Sequence, residues 1–155
     1  MEGKVFLRCL SVILILLVSL FFTAEGGEDD FFSKIKINQI KGDKKAPDFS
    51  LRDLNGKKVG IKQFKGKIIF LNFWATWCGP CKEEMPGLEV LHQQFKEKNF
   101  VLLAVSVDYE GIKPFPVLLD PKCEALDLFE VKEIPTAFLV DKRGRMIAKA
   151  IGPRD

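Results

Sequence analysis

Histidine is nearly absent: the 155 residues hold one, His92. A zinc site usually joins a close cysteine pair to a second pair of Cys or His ligands. Cys78 and Cys81 have no such counterpart, so a metal-binding CxxC module is only a minor alternative and no metal or other cofactor is expected. His92 reads as an ordinary helix residue. An excess of one charge is also missing, with 24 Lys and Arg against 21 Asp and Glu. The two signs are interspersed, which argues against a nucleic-acid partner. Internal repeats and low-complexity tracts do not occur. Hydrophobic content of 47% and charged content of 29% exclude wholesale disorder. A long hydrophobic run is lacking too: the stretch from Cys9 to Phe22 falls short of the ~20 residues that span a bilayer.

What is present at the N-terminus is an address. Lys4 and Arg8 precede the apolar stretch, and small residues and Glu28-Asp29-Asp30 follow it. That is the layout of an export signal. Ala24 and Gly26 make a poor cleavage site, so residues 1–27 read as a removed signal or a retained membrane anchor. In either case the remainder lies outside the cytoplasm. Cys9 opens the apolar run, where it reads as a small hydrophobe rather than a lipidation site. Residues 28–41 read as a linker or a loosely attached first strand carrying Ile35, Ile37 and Ile40. Residues 42–155 are one domain. Export leaves Cys78, Cys81 and Cys123, an odd number that cannot form a fully paired framework. A disulfide between Cys78 and Cys81 closes too short a loop to remove much unfolded-state entropy. The pair requires a chemical explanation.

The chain pattern places it. Phe49, Leu51, Val59 and Ile61 alternate around Asn55-Gly56, which predicts a β-hairpin with a two-residue turn. Ile68 to Trp74 is apolar but for Asn72, as in a central strand. Met85, Leu88, Leu91 and Phe95 then recur at helical spacing, with Pro80 suited to the first turn and Pro86 predicting a kink. Phe100 to Val107 is a second buried strand, so the unit is βαβ with parallel strands. Asp120-Pro121 predicts the start of a short helix through Phe129, with Asp120 as its cap. Ala137–Val140 and Met146–Ile151 flank a turn as antiparallel strands. The class is α/β with a mixed sheet.

Cys78 therefore falls at a helix N-terminus, where backbone N–H groups and the helix dipole stabilise a thiolate. Cys81 lies one turn deeper on the same side. That arrangement suits exchange through a mixed disulfide on Cys78, displaced by Cys81. Trp74 and Trp77 offer an apolar rim for a protein substrate.

Three stretches carry a resemblance: Ala46-Pro47-Asp48-Phe49-Ser50-Leu51, Phe64-Lys65-Gly66-Lys67, and Leu71-Asn72-Phe73-Trp74-Ala75-Thr76-Trp77-Cys78-Gly79-Pro80-Cys81. Ala104 to Asp108, Phe115 to Asp120 and Ile134-Pro135-Thr136 continue it. Over residues 42–152 the chain resembles the TlpA/ResA-type thiol–disulfide oxidoreductases of the thioredoxin superfamily. The resemblance implies a thioredoxin-like fold: a central mixed β-sheet flanked by helices, with an N-terminal β-hairpin. It implies Cys78 as nucleophile, Cys81 as resolving thiol, and Trp77, Gly79, Pro80, Ile134 and Pro135 as the substrate-binding surface. Pro135 would be a cis-proline, whereas the residues alone equally allow a trans proline opening a strand. Ile134 would offer backbone groups to an extended substrate. The implied partners are protein disulfides, apocytochrome c among them, and a membrane thiol–disulfide electron donor. A peroxiredoxin-like antioxidant shares the early Ala-Pro-Asp-Phe pattern but lacks a CxxC pair.

Thioredoxins carry a buried aspartate on the strand leading into the motif; here that position is Asn72, which takes no proton. Glu84 is three residues after Cys81 and shares its side of the helix, whereas Glu83 faces water. Burial would raise the proton affinity of Glu84 and suit it to acid–base work as a third catalytic residue. Two departures from the family stand out. Only Tyr109 to Pro114 separate Asp108 from Phe115, where the family has a longer segment. The family's usual C-terminal helix has no counterpart after the last strand. A truncated form, or an adaptor that holds client thiols without turnover, is the alternative. Cys123, in the first turn of its short helix, is expected to be a half-buried bystander, although that position would favour a thiolate.

Overall fold

The computed structural model describes residues 37–109 and 115–153. The expected signal or anchor, Cys9, most of the linker and most of the short segment after Asp108 lie outside the described residues. Eight strands form one mixed sheet: β1 (Ile37–Gln39), β2 (Ser50–Asp53), β3 (Lys58–Gly60), β4 (Ile68–Trp74), β5 (Phe100–Ser106), β6 (Val117–Leu119), β7 (Thr136–Val140) and β8 (Met146–Ile151). Their order is β1-β8-β7-β4-β5-β6-β2-β3. Two helices, α1 (Gly79–Phe95) and α2 (Glu124–Leu128), and a 3-10 turn at Ile61–Phe64 complete the described elements.

β4 is the centre of the sheet. It pairs in parallel with β5 from Ile68↔Phe100 to Trp74↔Ser106, and antiparallel with β7. Its alternate residues divide two cores. Ile69, Leu71 and Phe73 join Phe49, Phe129, Phe138 and Val140 on one face. Trp74 joins Leu102, Ala104, Met85 and Leu88 beneath α1 on the other. Phe73, Phe129 and Phe138 meet with ring centroids 5.2 to 6.2 Å apart in tilted and edge-on arrangements. Each such fully buried side chain contributes roughly 1.5–3 kcal/mol by leaving water. The expected mixed sheet, hairpin and βαβ unit are all present.

Two local expectations change, one open alternative is decided and one strand is added. The hairpin loop has three residues, not two. Gly56 donates its N–H to the Asp53 carbonyl and Asp53 donates to Lys57, both at 2.9 Å. Gly56 adopts a φ of +79°, the conformation a three-residue loop with a bulge demands. The short helix starts at Glu124 rather than Pro121, because Pro121 and Lys122 are taken up in a turn closed by Cys123 N–H to the Asp120 carbonyl. Asp120 still caps the helix, its carboxylate accepting from Glu124 and Leu126 N–H at 2.8 and 2.9 Å. Of the segment read as linker or first strand, residues 37–39 are a strand, paired antiparallel with β8. Val117–Leu119, not recognised as a strand, joins β5 to the hairpin by pairing parallel with β5 and antiparallel with β2.

Candidate active site

β4 delivers the chain to the sheet's end, where a bend of Ala75, Thr76 and Trp77 leads into α1. Cys78 is the N-cap of that helix, in an extended conformation, and Pro80 lies in its first turn. An extended N-cap turns its side chain back over the open backbone donors. Cys78 Sγ accordingly accepts from Cys81 N–H at 3.2 Å. This is the local field expected to stabilise a thiolate. Cys78 and Cys81 form a disulfide with an S–S distance of 2.07 Å, so the structure is the oxidised state. Cys78 is 6% exposed and Cys81 is sealed, at 0%. Both are buried, and of the two only Cys78 keeps any exposed surface.

The second wall of the site comes from the chain entering β7. The Ile134–Pro135 peptide bond is cis. The Ile134 carbonyl oxygen lies 3.9 Å from Cys78 Sγ. The loop is held by Thr136 Oγ1, which donates to the Glu133 carbonyl at 2.7 Å, and by Gly152 N–H, which donates to the Pro135 carbonyl at 2.9 Å. Pro135 is buried and Ile134 half-buried. Cys78, Cys81, Ile134 and Pro135 are thus brought together. Gly79 and Pro80 are exposed beside them. A side chain added at Gly79 would meet no neighbour within 4 Å, so this flank of the motif is open. Trp77 is 69% exposed and stands free for a partner. Trp74, expected on the same rim, is instead fully buried, because it closes strand β4 on the face that α1 covers.

Below the disulfide, α1 packs on β4. Glu84 is buried on the inner side of α1 and Glu83 is exposed on the outer side, as the helical spacing predicts. Asn72 Nδ2 donates to Glu84 Oε1 at 2.9 Å within this layer. The spacing along α1 places Glu84 on the Cys81 side; the bond to Asn72 depends on packing between helix and strand and was not foreseen. The single polar residue in an apolar strand was its signal. Also missed was Asp108, whose carboxylate reaches Thr76 in the bend before Cys78. The signal available for it was an aspartate just past the end of the strand parallel to β4.

Cys123 lies elsewhere, half-buried at the N-cap of α2 with a left-handed φ of 58°. Its helix position does not make it a ready thiolate. Burial, then the charges of Asp120 and Asp127, push its pKa above the ordinary thiol value.

Comparison with known proteins agrees with this geometry. The family model of the AhpC/TSA family matches residues 43–149. The thiol–disulfide oxidoreductase ResA of Bacillus cereus is 38% identical over 151 residues, covering 91% of this chain and 84% of that protein. Among solved structures, a DsbE-type thiol:disulfide interchange protein from Chlorobium tepidum superposes with a TM-score of 0.68. It is 32% identical, and the match covers 74% of this chain and 88% of that one. StoA from Bacillus subtilis superposes with a TM-score of 0.59 at 28% identity, over 70% of this chain and 90% of that one. Matched so along its length, with its two cysteines joined at the head of α1, the chain belongs to the AhpC/TSA family and is a thiol–disulfide oxidoreductase of ResA type with a thioredoxin-like fold.

Proposed function

We propose that the chain reduces disulfides of exported proteins outside the cytoplasm, recharged by a membrane thiol–disulfide donor and held near that donor when residues 1–27 remain as an anchor. The observation that carries this reading is the asymmetry of the pair: Cys78 caps the helix and keeps 6% of its surface exposed, while Cys81 lies one turn deeper at 0%. In the reduced state the Cys78 thiolate attacks one sulfur of the client disulfide, and the other client sulfur leaves as a thiolate. The Cys81 thiolate then attacks Cys78 Sγ in the mixed disulfide and the second client sulfur leaves. The client gains two electrons and the Cys78–Cys81 disulfide re-forms.

Cys81 must lose a proton before it attacks, because only the thiolate is nucleophilic. Glu84 is the group we assign to take it: a buried carboxylate one turn from Cys81, oriented by Asn72. The cis-proline loop and Trp77 receive the client, with Ile134 offering its backbone to an extended segment. Apocytochrome c is a client of suitable chemistry, since haem attachment needs a free dithiol.

The direction of electron flow is tested by the reduction potential of the pair. A reductant falls nearer the ~−270 mV of thioredoxin than the ~−120 mV of a strong oxidant. A value above about −180 mV, that of a disulfide isomerase, overturns the assignment.

A further inference from the structure

We propose that Asp108 is a positioning residue for the nucleophile: its carboxylate latches the bend that carries Cys78 to the end of β5. The proposal rests on the exchange reading above. β4 and β5 run in parallel and end together at the Trp74↔Ser106 pair. Two residues past each end, the chains are joined again. Asp108 Oδ2 accepts from both the backbone N–H and the hydroxyl of Thr76, each at 2.8 Å. Asp108 Oδ1 accepts from Ser106 Oγ at 2.7 Å. Between them, Val107 N–H donates to the Trp74 carbonyl at 3.0 Å. Thr76 is two residues before Cys78, and Cys78 N–H donates to the Ala75 carbonyl at 3.2 Å. The bend from Ala75 to Trp77 is therefore tied to the chain leaving β5 at Trp74 and at Thr76, and closed on itself by the Cys78–Ala75 bond.

The chemistry explains why this matters. The Cys78 thiolate is stabilised only while its sulfur sits over the first backbone donors of α1, and attack requires the sulfur in line with the client disulfide. The bond from Cys78 N–H to the Ala75 carbonyl closes the bend on itself but does not fix it against the sheet. The latch ties it to the chain leaving β5.

Two substitutions separate geometry from charge. Asp108→Asn can keep the latch, because its oxygen accepts from Thr76 and its amide donates to Ser106 Oγ, a hydroxyl that also accepts. Asp108→Ala removes it. The assay is single-turnover attack of the reduced protein on a protein disulfide such as that of insulin. D108A is expected to slow attack by about tenfold to hundredfold, as small misplacements of reacting groups do, with D108N restoring it to within about threefold. Equal rates for D108A and wild type, or a D108N as slow as D108A, overturn the latch. If D108A does not fold, Thr76→Val decides: it keeps the backbone bond and loses the hydroxyl bond. Slowing by about threefold supports the latch and no slowing overturns it, since only one of its bonds is removed. A wild type that fails to reduce the client at all instead removes the exchange reading itself.

Discussion

Replacing Glu84 by glutamine isolates the proton transfer from everything else Glu84 does. Glutamine has the same shape and still presents an oxygen to Asn72 Nδ2, so the 2.9 Å bond of the buried layer is preserved. What is lost is the capacity to accept a proton from Cys81. General acid–base groups typically contribute ~10²–10⁴-fold. Water reaching the site after mixed-disulfide formation can replace part of that, so resolution should slow by about tenfold or more, at least ~1.4 kcal/mol. Glu84→Ala serves as the contrast. It also deprives Asn72 of that acceptor in a layer where both side chains are at most 5% exposed, a loss worth ~1–3 kcal/mol of stability. E84Q should therefore be slow and stable, E84A slow and destabilised. Stopped-flow decay of a preformed Cys78 mixed disulfide reads the step directly. Glu83 is exposed on the same helix, and Glu83→Gln controls for general loss of charge near the motif. Equal small effects from E84Q and E83Q would refute the assignment of Glu84 as the base.

Two further outcomes are expected. Cys123→Ser should leave reductase activity within about twofold, and Cys123 itself should resist alkylation near neutral pH and react only as pH rises past the ordinary thiol range, because its pKa is raised by burial and by Asp120 and Asp127. Rapid labelling at neutral pH, or a large activity loss, would show that this thiol takes part. Asp120→Asn should cost ~1–3 kcal/mol in denaturant unfolding, since its amide must turn an N–H toward Glu124 or Leu126 N–H. Burial raises the folded-state pKa of Asp120 against the opposing bonds from Leu126, Glu124 and Ala125. Its linked contribution is thus full below the ordinary carboxylate value and declines as pH rises through the folded value. The stability gap between wild type and D120N should narrow from about pH 4 upward; a gap that widens would contradict the shift.

The long elements were legible because each carries a sustained pattern. β4 is an apolar run broken only by Asn72, α1 repeats its apolar residues at helical spacing, and together they placed Cys78 at the helix N-terminus. A lone strand of three residues carries too little pattern to read. β6 has three residues and exists because β5 and β2 pair with it from either side, information that lies elsewhere in the chain. β1 likewise owes its form to β8. The Asp120-Pro121 signal identified the right cap but the wrong first residue, since an aspartate side chain can reach past an intervening turn. In the site, Cys78, Cys81 and the inward side of Glu84 follow from spacing along one helix. The bond from Asn72 and the latch from Asp108 join residues 12 and 32 positions apart, so they emerge only when α1 lies on β4 and β5 ends beside it. Trp74 was misplaced for the same reason: the end of a strand looks exposed in sequence until a helix covers it.

The claim that Cys78 attacks and Cys81 resolves is tested most directly by trapping the intermediate. Reduced Cys81→Ser is mixed with a protein disulfide and the products are mapped by mass spectrometry. The account predicts a stable covalent adduct through Cys78, and none with Cys78→Ser under the same conditions. An adduct that persists in the Cys78→Ser protein, or one carried by Cys123, would contradict it.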